Sequence, residues 1–177
     1  MRTPGSTGIA LAAALLLTLQ TGQFHPLSAQ ATRPKCDLAE YRQFDFWIGD
    51  WEVTTQGKQA GTNLVTREED GCLIHEHWTG AKGGTGQSLN FFDRGDARWH
   101  QVWVSNDGGV LNLAGSYVEG TLTLRGETKQ ADGTRLMHRL SFHLNPDSTV
   151  RQFWEISSDK GKTWASSFDG LYRKRKA

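Results

Sequence analysis

The sequence predicts an all-β fold, an antiparallel up-and-down β-barrel of about eight to ten strands preceded by a short helical turn. Three observations carry this. Turn-forming stretches, "TREED", "NFFD", "SNDGG", "YVEG", "QADGT", "NPDS" and "SDKG", recur at intervals of about ten residues, the spacing of successive hairpins. Between them, "WHQVWVS", "TLTLRG", "RLMHRLSFHL" and "TVRQFWEIS" alternate polar with apolar residues or stay β-branched and aromatic, which suits half-buried strands. No stretch has the form of a linker, a low-complexity tract or a βαβ unit, so a single antiparallel domain accounts for the chain. An open sheet of that size would leave two edges exposed, and closure into a barrel removes both.

In chain order, residues 1–31 read as a Sec-type signal peptide. Arg2 precedes the apolar run Ile9 to Leu19, and "PLSAQA" offers the small residues Ala29 and Ala31 for cleavage. The run is shorter than the roughly 20 apolar residues of a membrane span, so no stable membrane insertion is expected. The domain is then 32–177, expected in the periplasm or outside the cell. It keeps 19 acidic side chains and, without Arg2, as many basic ones. Its basic cluster, Arg173-Lys174-Arg175-Lys176, is a solvated terminus rather than the concentrated positive field that nucleic-acid binding needs. Cys36 and Cys72 are an even pair in an oxidising compartment, so a disulfide stapling the N-terminal segment to the sheet is expected. "CDLAEYRQFDFW" carries the helical turn.

Period-two alternation then assigns faces to three strands. Cys72, Ile74, Glu76 and Trp78 share one face, opposite Leu73, His75 and His77. Trp99, Gln101, Trp103 and Ser105 share another, opposite His100, Val102 and Val104, and Val150, Gln152, Trp154 and Ile156 a third, opposite Arg151, Phe153 and Glu155. The repeated Q-x-W suggests a lumen lined by indoles and amides. Trp51, Glu76, Trp78, Gln101, Trp103, Gln152 and Trp154 are therefore the candidate contacts for a small amphipathic molecule. A barrel this small is also able to fill its interior with side chains alone.

The first strand, "FDFWIGDWEV", contains Gly49-Asp50-Trp51, and G-x-W after a short helical turn resembles the calycin superfamily, which includes lipocalins and fatty-acid-binding proteins. That resemblance implies that Trp51 plugs the barrel floor and that a late arginine stacks on it, Arg173 first and Arg175 second. With "GCLIHEHWTG", "SLNFFD", "WHQVWV", "VRQFWEIS", "DKGKTW" and "FDGLYRK" in the same order, Cys36 to Arg173 is similar to a family of bacterial secreted proteins carrying a lipocalin-like domain of unknown function. The resemblance implies a fold and no activity.

"SSDKGKTW", Ser157 to Trp164, has the S-x-D-x-G-x-T-W form of the Asp-box found in sialidase propellers. A turn suffices to explain it: Asp159 accepts from its own loop, Gly161 takes a conformation other residues avoid, and Trp164 packs beneath. "QVWVSNDGG" repeats the arrangement of "QFWEISSDKG" with one residue fewer. Sialidase chemistry needs several blades and an arginine cluster, which are absent from this sequence.

Other chemistries have weaker footing. His75 and His77 place two imidazoles on one face, with His100 or His138 as a conceivable third metal ligand, but no third is fixed by spacing. A haem barrel of the nitrobindin kind would use His143, though the glycine-rich opening of that family is missing. An enzyme acting through Glu76 and neighbouring polar groups is the alternative to a binding module. No nucleophile elbow, P-loop or dinucleotide fingerprint supports it.

Overall fold

A computed structural model describes Met1 and residues 36–176; the expected signal peptide lies outside the described residues. Ten strands run in order: β1 (Gly49–Thr55), β2 (Lys58–Glu68), β3 (Leu73–Gly80), β4 (Thr85–Asp93), β5 (Arg98–Ser105), β6 (Val110–Val118), β7 (Thr121–Lys129), β8 (Arg135–Leu144), β9 (Val150–Ser157) and β10 (Ala165–Lys174). Each is antiparallel to its sequence neighbours, and β10 pairs with β1 to close the barrel. The count is the upper end of the expected range, and closure pairs both edges of the sheet formed by the described residues. Among the described residues no helix is long and apolar enough to cross a membrane.

The helical stretch forms two 3-10 turns, Ala39–Arg42 and Asp45–Trp47, which cover the barrel end where β1 begins. Phe44 and Trp47, both fully buried, stack at 4.8 Å, and Phe44 meets the edges of Trp99 and Phe142 at 5.6 and 4.8 Å. Burying large apolar chains of this kind contributes about 1.5–3 kcal/mol each. The Cys36–Cys72 disulfide, with Cα atoms 5.0 Å apart, ties the start of this segment to the residue before β3. Arg42 reinforces the tie by donating to the carbonyls of Cys36 and Gly71, each at 2.8 Å.

Trp51 is fully buried beside this plug and donates its Nε1–H to the Trp47 carbonyl at 2.8 Å. The cation above it is not Arg173. Trp51 stands opposite Lys174 in the β1–β10 ladder and Glu52 opposite Arg173, so alternation turns Arg173 outward, where it pairs with Asp147 at 3.7 Å. The Lys174 ammonium lies 5.5 Å from the Trp51 ring, and Arg175 pairs with Asp50 instead.

Ile74, Glu76 and Trp78 on β3, Trp99, Gln101 and Trp103 on β5, and Val150, Gln152 and Trp154 on β9 all sit on the inner face with the buried or half-buried side chains. A one-residue bulge would have reversed any of these sets. The register shifts fall elsewhere, between Val53 and Thr54 and between Ser166 and Phe168.

Candidate functional site

The interior is layered along the barrel axis. Next to the plug it is an apolar core of Val53, Val65, Ile74, Leu113, Leu122, Leu124, Leu140, Phe142 and Val150. Above the core, strands β2 to β5 contribute a buried polar band: Asn63, Glu76, Ser88, Asn90 and Gln101. Asn63 Nδ2 donates to Glu76 Oε1 at 2.8 Å and the Ser88 hydroxyl donates to Oε2 at 2.5 Å. Asn90 Nδ2 donates to the Ser88 oxygen at 2.8 Å, and Gln101 Nε2 to Asn90 Oδ1 at 2.9 Å. The chain of donors thus runs toward the Glu76 carboxylate. Burial raises its pKa to about 7, opposed by the hydrogen bonds from Ser88 and Asn63.

At the far end, where β3, β5 and β9 finish, a cavity of about 200 Å³ opens among Glu76, Trp78, Trp103, Trp154, Ser167, Phe168 and Tyr172. Its walls depend on backbone that lets rings lie flat. A Cβ added at Gly86 would stand 2.3 Å from Cζ2 of Trp103, so only glycine leaves that indole its place. Trp154 turns its Nε1–H away to His138 Nδ1 at 3.2 Å. His138, itself buried, has its pKa lowered by that burial, which keeps the ring neutral, and its Nε2 meets Thr128 Oγ1 at 2.8 Å. Tyr172 donates its hydroxyl to Gln152 Oε1. Burial first, and then the charge of Glu76, hold that phenol well above its ordinary pKa, so it remains a neutral donor.

Of the seven candidate contacts, Glu76, Trp78, Trp103 and Trp154 meet at this cavity. Trp51, Gln101 and Gln152 do not line it: Trp51 belongs to the plug, Gln101 to the polar band, and Gln152 is engaged by Tyr172. Sequence reasoning passed over Phe168 and Tyr172, which alternate inward with Gly170 in "FDGLY", and over Asn63, which alternates with Gly61 and Val65. Period two in those strands carried the signal.

The Ser157 to Trp164 loop is a hydrogen-bonded turn. Asp159 accepts from the Ser157 hydroxyl at 2.7 Å, from the Thr163 amide at 2.9 Å and from the Thr163 hydroxyl at 2.6 Å. These bonds, the Thr163 hydroxyl foremost, bring its pKa down to about 2. Gly161 takes φ +81°, and Arg139 lies 4.3 Å over the Trp164 ring. The β5–β6 turn repeats the device, with the Ser105 hydroxyl on Asp107. The carboxylates are committed to their own loops, and both loops stand on the rim that surrounds the cavity.

Outside the barrel, Glu68 supplies the third group that spacing did not reveal beside His75 and His77, with ligand atoms of all three within 4.8 Å. The two rings approach at 3.2 Å between His77 Nε2 and His75 Nδ1. His100 instead groups with Asp93 and Asp96. His143 is exposed and contacts Thr121 at 3.1 Å, so it does not face the lumen as a haem ligand there would have to. A wider concavity of about 690 Å³ runs along the outer face of β3 to β5, past His75, His77, Leu89, Val102 and Val104. Comparison of the chain with protein-family models and with curated proteins finds no match.

Proposed function

We propose that this chain is a secreted or periplasmic, lipocalin-like binding module that holds a small amphipathic molecule in the open end of its barrel. One observation carries the reading: a cavity of about 200 Å³ in which indole, phenyl and phenol surfaces surround a single buried carboxylate. A barrel stabilised by packing alone gains nothing from a buried carboxylate beside this recess, since burying such a charge without a charged partner costs stability. Apolar cavities of about 150 Å³ accept benzene, so this volume suits a ligand of roughly that size or a little larger. The calycin-like opening and the signal-peptide pattern support the same reading.

The enzyme alternative has one supporting observation, a Glu76 pKa of about 7, which is the working range of a general acid or base. Its neighbours Asn63 and Ser88 donate to it and are committed to holding it in place.

Native mass spectrometry of protein freshly isolated from the periplasm of an expressing cell tests the proposal. The expected spectrum shows a mature N-terminus at Gln30 or Thr32 and a bound small molecule that Trp103→Leu or Trp154→Phe releases and Lys129→Ala does not. A retained leader would overturn the location. An adduct indifferent to both tryptophan changes would overturn the site.

A further inference from the structure

We propose that the ligand is a small organic cation, an alkyl- or arylammonium, whose charged head lies among Trp78, Trp103 and Trp154 with Glu76 as its counter-charge; this rests on the lumen-binding reading above.

Three independent features of the cavity point to that class. The first is its wall. Three indoles, Phe168 and Tyr172 line about 200 Å³, and an aromatic face presents negative potential to a cation, an attraction that strengthens as the site is desolvated. Indole is the best of the three ring types for this, and the cavity gathers three of them. Trp154 strengthens the case by directing its positive N–H edge away, to His138.

The second is the carboxylate. Glu76 is 4 % exposed, lines the cavity, and forms no ion pair with a lysine or arginine among the described residues. Its partners are an amide and a hydroxyl, both donating to it, an arrangement that favours the ionised form without neutralising it. A buried carboxylate whose solvation is replaced only by neutral donors is short of a positive partner, and an ammonium group entering the cavity supplies one. Neutral ligands offer it nothing comparable, and an anion is repelled.

The third is the amide beside it. Asn63 Oδ1 is fully buried with no hydrogen-bond partner, although the same amide's nitrogen is 2.8 Å from Glu76. Asn63 does not line the cavity itself, but an acceptor is thus left over beside the carboxylate that does, and a primary or secondary ammonium at Glu76 brings donors. The remaining titratable groups do not oppose a cation. Tyr172 on β10 stays neutral, His138 on β8 is held neutral by burial, and β2 and β4 present only Asn63, Ser88 and Asn90 to the carboxylate. His75 acts on Glu76 from the outer face of β3.

The test compares isosteric pairs that differ in charge: choline with 3,3-dimethylbutan-1-ol, and benzylamine with benzyl alcohol, titrated into the mature protein at pH 8 by tryptophan fluorescence and calorimetry. The cation of a pair is expected to bind about tenfold or more tightly than its neutral partner. Glu76→Gln should weaken binding of the cation about tenfold and leave the smaller preference that the indole faces supply, with near-ultraviolet circular dichroism showing the fold intact. Equal affinities within each pair would overturn the cation preference and leave lumen binding standing. Failure of all four probes to perturb tryptophan emission would overturn the preference together with the reading beneath it.

Discussion

Glu76 is where the stability and the chemistry of this barrel meet. The unfolded chain releases its proton near pH 4.5, whereas the folded chain holds it to about pH 7 because burial disfavours the charge. Between those values the native state binds more protons, so stability falls as pH rises across the window and is fully present below it. At about 1.4 kcal/mol for each pH unit, the loss reaches about 3 kcal/mol above pH 7. Glu76→Gln keeps the shape and removes the charge. Urea denaturation should show the variant gaining on the unaltered protein from pH 5 to pH 8, by about 2–3 kcal/mol at the upper end. Parallel profiles would contradict the account. Alternation alone brought Glu76, Trp78, Trp103 and Trp154 to one lumen from a reading of three strands. It was silent on which of the inward residues form a cavity and which pair with one another. Gln101 and Gln152 look alike in sequence, and the difference lies in their partners on the neighbouring strand, Asn90 on β4 and Tyr172 on β10.

The strands act as supports that hold particular rings at particular heights. Gly86 on β4 is the clearest case, because the wall it forms exists to be covered by Trp103. Gly86→Ala should displace that indole at a cost of about 1–3 kcal/mol, seen as a lower denaturation midpoint and an altered near-ultraviolet band. Gly84→Ala, where an added methyl meets nothing within 4 Å, should leave both unchanged. The same reasoning corrects Arg173. Superfamily resemblance implied an arginine over Trp51, while strand register puts Lys174 opposite it. Register between the first and last strands is fixed by closure, and closure is a property that no local stretch of sequence contains. Glu68 was missed for a related reason: it reaches His75 across a hairpin that begins with the Glu69–Gly71 turn, where Glu69 and Asp70 take positive φ.

At the scale of the whole molecule, one end is sealed and the other open. The seal is the aromatic plug, and the disulfide holds it in place by closing 36 residues of sequence separation. A loop of that length is worth about 4 kcal/mol in chain entropy. Reduction should therefore lower the urea midpoint, with burial of Trp47 and Trp51 lost early, and equal midpoints in oxidised and reduced protein would contradict the role of the staple. Fold class and the cysteine pair were legible because turn punctuation, alternation and an even pair of cysteines stand directly in the sequence, while closure followed only from the cost of open edges. The open end was not, because a cavity is what remains when side chains from β3, β5, β9 and β10 fail to meet. The seven tryptophans allow the central claim to be tested in one experiment. Indole N–H resonances, assigned by single Trp→Phe changes, are followed by nuclear magnetic resonance as choline or benzylamine is added. Trp78, Trp103 and Trp154 should move together on one binding curve while Trp47 in the plug and Trp164 on the rim stay fixed. Movement confined to Trp164, or shared evenly by all the indoles, would contradict a binding site in the open end of the barrel.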